Sequence, residues 1–124
     1  MGIYIDGDIT KLSSYFKPDS FDLILDYSIL HHIDPALTDA YAGQYSTLLK
    51  PGGVLLLVCY SDNDQYAQGQ NRATGEYGNQ MYYRSAEEIR RSYKMLKELH
   101  YKEAFLGKRS QHAAHCFLFQ KPAD

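Results

Sequence analysis

The chain has no tryptophan, only two cysteines and no cluster of positive charge among its 124 residues. Each shortage removes a class of function. Thirteen Lys and Arg against fifteen Asp and Glu leave a net charge of −2, and the basic residues are scattered. A dedicated nucleic-acid binder needs a positive stripe to follow the phosphates, so none is expected here. The longest apolar run, Val54 to Tyr60, falls far short of the ~20 residues that cross a bilayer. The N-terminus lacks the basic start and apolar core of a secretory signal. We expect a cytoplasmic protein with neither nucleic acid nor membrane as a partner. Cys59 and Cys116 each sit in an apolar, strand-like run, which favours two buried thiols over a disulfide. A glycine-rich G-x-G-x-x-G turn is also missing throughout.

What is present is tyrosine, twelve of them. Tyr pairs an apolar body with a wet tip, so it can replace Phe at half-buried positions or supply a contact surface. At 44% hydrophobic and 23% charged, the composition is ordinary for a globular domain. Residues 1–124 read as one domain with one modest core.

The pattern alternates strand and helix. Ile3-Tyr4-Ile5 is a short strand ending at the turn Asp6-Gly7-Asp8, and Phe21 to Tyr27 is a second. Asp34 then serves as N-cap with Pro35 at the first helical position, where its missing N–H costs nothing. Leu37, Tyr41, Tyr45, Leu48 and Leu49 recur at helical spacing, and Lys50-Pro51-Gly52-Gly53 stops the helix. Val54 to Tyr60 is apolar without alternation, as in a central strand buried on both faces. Ser61 to Tyr83 is polar, aperiodic and long enough to be a functional lid or a mobile segment. Ser85-Ala86-Glu87-Glu88 is a capping box, opening a helix with Ile89, Tyr93, Leu96 and His100 on its buried stripe. Lys102–Leu106 and His115–Lys121 close the chain as an antiparallel pair, because the turn between them is short.

Phe21-Asp22-Leu23-Ile24-Leu25-Asp26-Tyr27-Ser28-Ile29-Leu30-His31-His32-Ile33, followed by Leu48-Leu49-Lys50-Pro51-Gly52-Gly53-Val54-Leu55-Leu56-Leu57-Val58, resembles the second half of a class I S-adenosylmethionine-dependent methyltransferase. The resemblance implies an α/β fold: an incomplete Rossmann-like sheet, mainly parallel with an antiparallel C-terminal strand pair. Right-handed crossovers progressing one way put both helices on the same face. The other face then has no helix to cover its aliphatic side chains. In complete family members the upstream half supplies that cover. Uncovered aliphatic surface forfeits about 25 cal/mol per Å2, so we expect a second copy there, giving a homodimer by a two-fold contact. A swapped N-terminal strand, Ile3 to Asp6, is a related arrangement.

The family also assigns candidate residues. Asp8 and Ile9 match the end of its third strand, where a carboxylate accepts from the adenine amino group; Asp8 also suits a simple turn. Asp26 and Tyr27 lie at the carboxyl end of the next strand, the edge where open α/β sheets bind ligands, and would line the cofactor's methionine end. The segment differs from the Asn-Pro-Pro-Tyr motif of nucleobase-amine methylating enzymes and resembles the small-molecule branch ending in Leu-His-His. His31 or His32 would take a proton from the acceptor; alternatively, one packs in the core and the other caps the next helix. Tyr82 and Tyr83 would contact the acceptor, or staple the capped helix. His112 and His115, three apart on a strand, face opposite ways, and no metal is expected. The implied function is methyl transfer from S-adenosylmethionine to a small-molecule acceptor. Lacking the glycine-rich turn, the chain is expected to be incomplete alone. The alternative is a non-catalytic, oligomeric binding or assembly module derived from such an enzyme.

Overall fold

The computed structural model describes residues 14–27, 30–65, 72–74, 80–107, 110 and 112–123. The expected strand Ile3–Ile5 and the candidates Asp8 and Ile9 lie outside the described residues. Strand β1 (Phe21–Tyr27) leads through two 3₁₀ turns, Leu30–His32 and Pro35–Leu37, into helix α1 (Thr38–Leu48). Strand β2 (Leu49–Tyr60), the short pair β3 (Arg72–Thr74) and β4 (Gln80–Tyr82), helix α2 (Ala86–Ser92) and strands β5 (Lys97–Leu106) and β6 (His112–Gln120) follow. The main sheet has the order β1-β2-β6-β5, and β3 and β4 form a separate antiparallel hairpin.

The expectation of a mainly parallel sheet does not hold. Among the described strands of the main sheet only β1 and β2 pair in parallel, while β2–β6 and β6–β5 are antiparallel. The difference has one cause: β6 enters between β2 and β5 instead of adding outside β5. Its sequence, HAAHCFLFQ, is apolar on both faces, whereas β5 reads KELHYKEAFL and is mostly exposed. The strand that can be buried on both sides takes the central slot, and the charged one takes the edge, where charge discourages further pairing.

Local signals set most boundaries. Asp34 Oδ1 accepts from the Ala36 N–H at 2.9 Å, capping the first 3₁₀ turn with Pro35 in place, and α1 proper starts at Thr38. Tyr41, Tyr45, Leu48 and Leu49 are buried as the spacing predicts, while Leu37 is exposed. The capping box of α2 is complete: Ser85 Oγ accepts from the Glu88 N–H at 3.1 Å, and Glu88 Oε1 from the Ser85 N–H at 3.3 Å. The helix nevertheless ends at Ser92, well before His100. Strand β5 begins at Lys97 because it pairs along the whole of β6, from Lys97 opposite Gln120 to Leu106 opposite His112. His100 therefore lies exposed on a strand rather than buried on a helix.

One face of the sheet carries the core. Leu55, Leu57, Cys59, Phe117 and Phe119 pack against Tyr41, Ala42 and Tyr45 of α1, Ile89 of α2, and Tyr93 and Leu96 just beyond it. Both helices thus cover the same side, as the crossover rule requires. On the opposite side Leu23, Leu25, Tyr27 and Leu56 are 59%, 57%, 54% and 37% exposed. Those residues sit on or next to β1, the edge strand. Cys116 lies opposite Val58, so it faces away from Cys59; both thiols are free. Burial pushes the Cys59 thiol up to about 12. No helix among the described residues is long and apolar enough to cross a membrane.

Candidate functional site at the carboxyl edge

Parallel β1 and β2 end at the same edge of the sheet, and antiparallel β6 begins there. That geometry gathers Tyr27, Tyr60 to Asp64 and His112, together with the turn Leu30–His32 and the segment Tyr83–Ser85. The Tyr60 ring lies between two imidazoles. His31 is stacked on it with centroids 3.8 Å apart and planes 15° apart, and His112 at 4.4 Å and 12°. Tyr83 runs parallel at 6.1 Å. Burial raises the Tyr60 phenol pKa, and the Asp64 carboxylate and Tyr27 hydroxyl raise it further. Those groups therefore act on one another at a single locus.

Each histidine at this edge has a distinct setting. His31 Nδ1 accepts from the Tyr60 backbone N–H at 3.2 Å, so its neutral ring carries the proton on Nε2. His112 Nδ1 lies 2.9 Å from Asp64 Oδ2. His115 Nε2 donates to the Arg84 carbonyl at 2.8 Å, which leaves Nδ1 to accept from the Tyr101 hydroxyl at 2.7 Å. Burial pulls the His115 pKa below the usual 6.5, the dominant effect over its favourable contacts. It is a neutral, structural histidine at physiological pH.

Arg84 holds the edge together. Its guanidinium is 1% exposed and donates to the carbonyls of Leu30 at 2.7 Å and Ile33 at 2.6 Å, and to Thr38 Oγ1 at 2.9 and 3.2 Å. Its own carbonyl accepts from the Asp62 N–H as well as from His115. One residue thereby fastens the loop after β1 to the ends of β2 and β6. Burial lowers its pKa from 12.5, yet an arginine stays a cation near neutrality.

The structure separates the sequence candidates. Tyr27 presents its ring at the edge, half exposed, whereas Asp26 is 0% exposed and turned into the core. There the Tyr45 hydroxyl donates to Asp26 Oδ2 at 3.0 Å and lies 3.0 Å from the Tyr41 hydroxyl. Burial first, and the Asp26 charge second, raise the pKa of Tyr41, Tyr45 and Tyr93. His31 is 2% exposed, and Tyr83 is buried beside Met81 and Tyr60 while Tyr82 is half-buried. The His32 side chain and Ser28 lie outside the described residues. Of the described residues implied to bind the cofactor, Tyr27 alone is exposed at the edge, and Asp26 is turned away from it. A cleft of about 200 Å3 lined by Thr38, Asp39, Arg84, Glu88, Arg91 and Ser92 sits on the helix side and contains none of the candidates.

Sequence reasoning missed Tyr60, Asp64, Arg84 and His112 as one constellation. The only advance signal was their placement beside element ends; the partners are tens of residues apart. The tyrosine network carries a clear test. Among the described residues the buried Tyr93 hydroxyl has no hydrogen-bond partner, so Tyr93→Phe is expected to leave stability equal or raise it by ~1 kcal/mol. Tyr45→Phe removes a donor from a buried carboxylate and should cost about 1.5–3 kcal/mol. Urea denaturation of the two variants checks both signs.

A parallel strand pair extended by an inserted antiparallel strand, with loops converging at the carboxyl edge, defines a Rossmann-like α/β domain of the kind that binds nucleotide cofactors. Residues 2–57 match the model of the methyltransferase domain family. None of the curated protein sequences matches the chain. Among solved structures, a SAM-dependent methyltransferase from Methanosarcina mazei superposes with a TM-score of 0.78 at 18% identity, over 95% of this chain and 66% of its own. A 1,6-didemethyltoxoflavin-N1-methyltransferase from Burkholderia thailandensis, solved with its acceptor and S-adenosylhomocysteine, gives 0.72 at 13%, over 95% and 50%. An N-methyltransferase from Bradyrhizobium japonicum with S-adenosylhomocysteine gives 0.63 at 19%, over 94% and 52%. The chain thus spans between half and two thirds of the length of these structures. The likeness shows that the chain shares the fold of these methyltransferases over part of their length.

Proposed function

We propose that the chain forms part of a domain that transfers a methyl group from S-adenosylmethionine to a small-molecule acceptor in the cytoplasm. The observation that carries this reading is the parallel β1–β2 pair, most of it within the family-matched segment, ending in the exposed Tyr27. The absence of the Asn-Pro-Pro-Tyr motif supports a small acceptor, as does the 1,6-didemethyltoxoflavin bound by a structural neighbour. Methyl transfer is mainly a matter of holding the acceptor in line with the sulfonium carbon, and an edge built from stacked rings suits that task. Isothermal titration with S-adenosylmethionine and S-adenosylhomocysteine tests the reading. Submillimolar affinity is expected; a folded chain silent to both ligands overturns it and favours the assembly module.

The same reading includes a homodimer. Leu23, Leu25 and Leu56 form an apolar face beside an edge strand, and a two-fold contact would shield both copies with one operation while leaving Tyr27 at the carboxyl edge open. Sedimentation velocity at micromolar concentration should show the dimer, and a strict monomer would remove this part of the proposal.

A further inference from the structure

We propose that His112 is the base that takes the proton from the methyl acceptor, with Asp64 as its positioning residue. The inference rests on the methyltransferase reading and adds a residue that the Leu-His-His segment does not contain. Four observations lead to it. His112 opens β6 at the carboxyl edge, two residues beyond Ala114, the partner of Tyr60 at the end of β2. Its Nδ1 is 2.9 Å from Asp64 Oδ2, and the Asp64 side chain is 0% exposed while that of His112 is 21% exposed. Its ring is fixed by stacking on Tyr60, whose phenol feels both the Asp64 carboxylate and the Tyr27 hydroxyl. Finally, the other histidines at this edge are engaged differently: His31 through Nδ1 on the Tyr60 N–H, and His115 through both nitrogens.

The chemistry follows from the tautomer. An ionised Asp64 holds the proton of neutral His112 on Nδ1, so Nε2 is the basic nitrogen. The acceptor's nitrogen or oxygen forms a bond to the methyl carbon as the carbon–sulfur bond breaks, and that bond's electron pair goes to sulfur. The acceptor's proton passes to His112 Nε2, and the Asp64 carboxylate stabilises the imidazolium. No oxidant or further reactant is involved. Among the described residues, the groups that bear on His112 include Asp64 from the segment after β2, Tyr60 at the end of β2 and, through Tyr60, Tyr27 on β1 and His31 in the turn after it. Tyr60 gives the pair a rigid flank, which keeps the base at one distance from the edge.

Two readouts test the assignment. In the unliganded chain, long-range proton–nitrogen correlation spectra of the imidazoles should show neutral His112 protonated on Nδ1, and Asp64→Asn should shift that tautomer population toward Nε2. A neutral His112 protonated on Nε2 overturns the proposal without any assay, because its lone pair would then face Asp64. Release of S-adenosylhomocysteine, measured with a panel of small amine and hydroxyl acceptors, gives the second. His112→Gln should cut the rate by about 10²- to 10⁴-fold and remove the acid limb of the pH profile, with affinity for S-adenosylmethionine unchanged. Asp64→Asn should shift that limb and lower the rate less. Turnover that survives His112→Gln with its pH profile intact overturns the base assignment while the methyltransferase reading stands. No turnover by the unmodified chain, with cofactor bound, overturns both together.

Discussion

Replacing Arg84 with alanine is expected to cost about 3–5 kcal/mol, a large share of the ~5–15 kcal/mol that holds a domain of this size folded. The cost has two parts. The guanidinium's hydrogen bonds to the Leu30 and Ile33 carbonyls and Thr38 Oγ1 disappear; the Leu30 carbonyl keeps the Ile33 N–H, while the Ile33 carbonyl and Thr38 Oγ1 lose the guanidinium donor. An unsatisfied buried polar group costs about 1–3 kcal/mol, more than the bond itself contributes. Arg84 is 1% exposed, so water cannot easily replace it. Arg84→Lys should recover only part of the loss, since a point charge on a flexible stem cannot span acceptors that a planar fork reaches at once. Guanidinium denaturation of both variants reads the effect. A loss under about 1 kcal/mol for alanine would mean that the loop after β1 is held by something else. Because the same residue fixes the turn bearing His31, a partly folded variant should also lose the upfield ring-current shifts of the stack on Tyr60.

What could be read in the sequence was what local chemistry controls. The capping box at Ser85, the Asp34–Pro35 start and the buried stripe Tyr41–Tyr45–Leu48 each depend on residues within one or two turns, and each is present. The crossover rule placed both helices on one face because handedness is set by strand twist, not by side-chain detail. Strand order was less legible. Its signal was there, in a β6 segment apolar on both faces and a β5 segment alternating with Lys and Glu, but it acts by competition between strands far apart in the chain. The site was the least legible part. His112 and His115 were weighed as a pair because they are neighbours in sequence, and the strand period does send them to opposite faces. The partner His112 finds is Asp64, 48 residues away, and Arg84 reaches Leu30 across 54. Such separations are closed only by the assembled sheet. The candidate Asp26 shows the converse: its position at a strand's carboxyl end is right for a ligand, but the alternation of β1 turns that side chain inward and Tyr27 outward.

The two glycines of Lys50-Pro51-Gly52-Gly53 are needed for different reasons, and substituting them should separate those reasons. Between the pairs Phe21–Leu49 and Leu23–Val54 the register of β1 on β2 shifts, so Lys50 to Gly53 must be accommodated against the single residue Asp22 of β1. The excess chain is pressed close to the neighbouring backbone. A Cβ on Gly53 would lie 2.9 Å from the Lys50 carbonyl oxygen, 3.0 Å from that of Phe21 and 3.2 Å from that of Asp22. None of these can move without opening the parallel pair that leads to Tyr27 and Tyr60. Gly53→Ala is therefore expected to cost about 2–3 kcal/mol through overpacking against backbone, and Gly53→Val more. Gly52 has open space around its Cβ position but φ of +83°. Gly52→Ala should cost about 1–2 kcal/mol through backbone strain alone. Gly52→Asn should cost less than Gly52→Ala, since asparagine tolerates the left-handed region, while Gly53→Asn should be as damaging as Gly53→Val. Thermal unfolding of the five variants gives the ranking. If asparagine rescues both sites equally, the close approach of β2 to β1 at Gly53 is not what holds this edge in register.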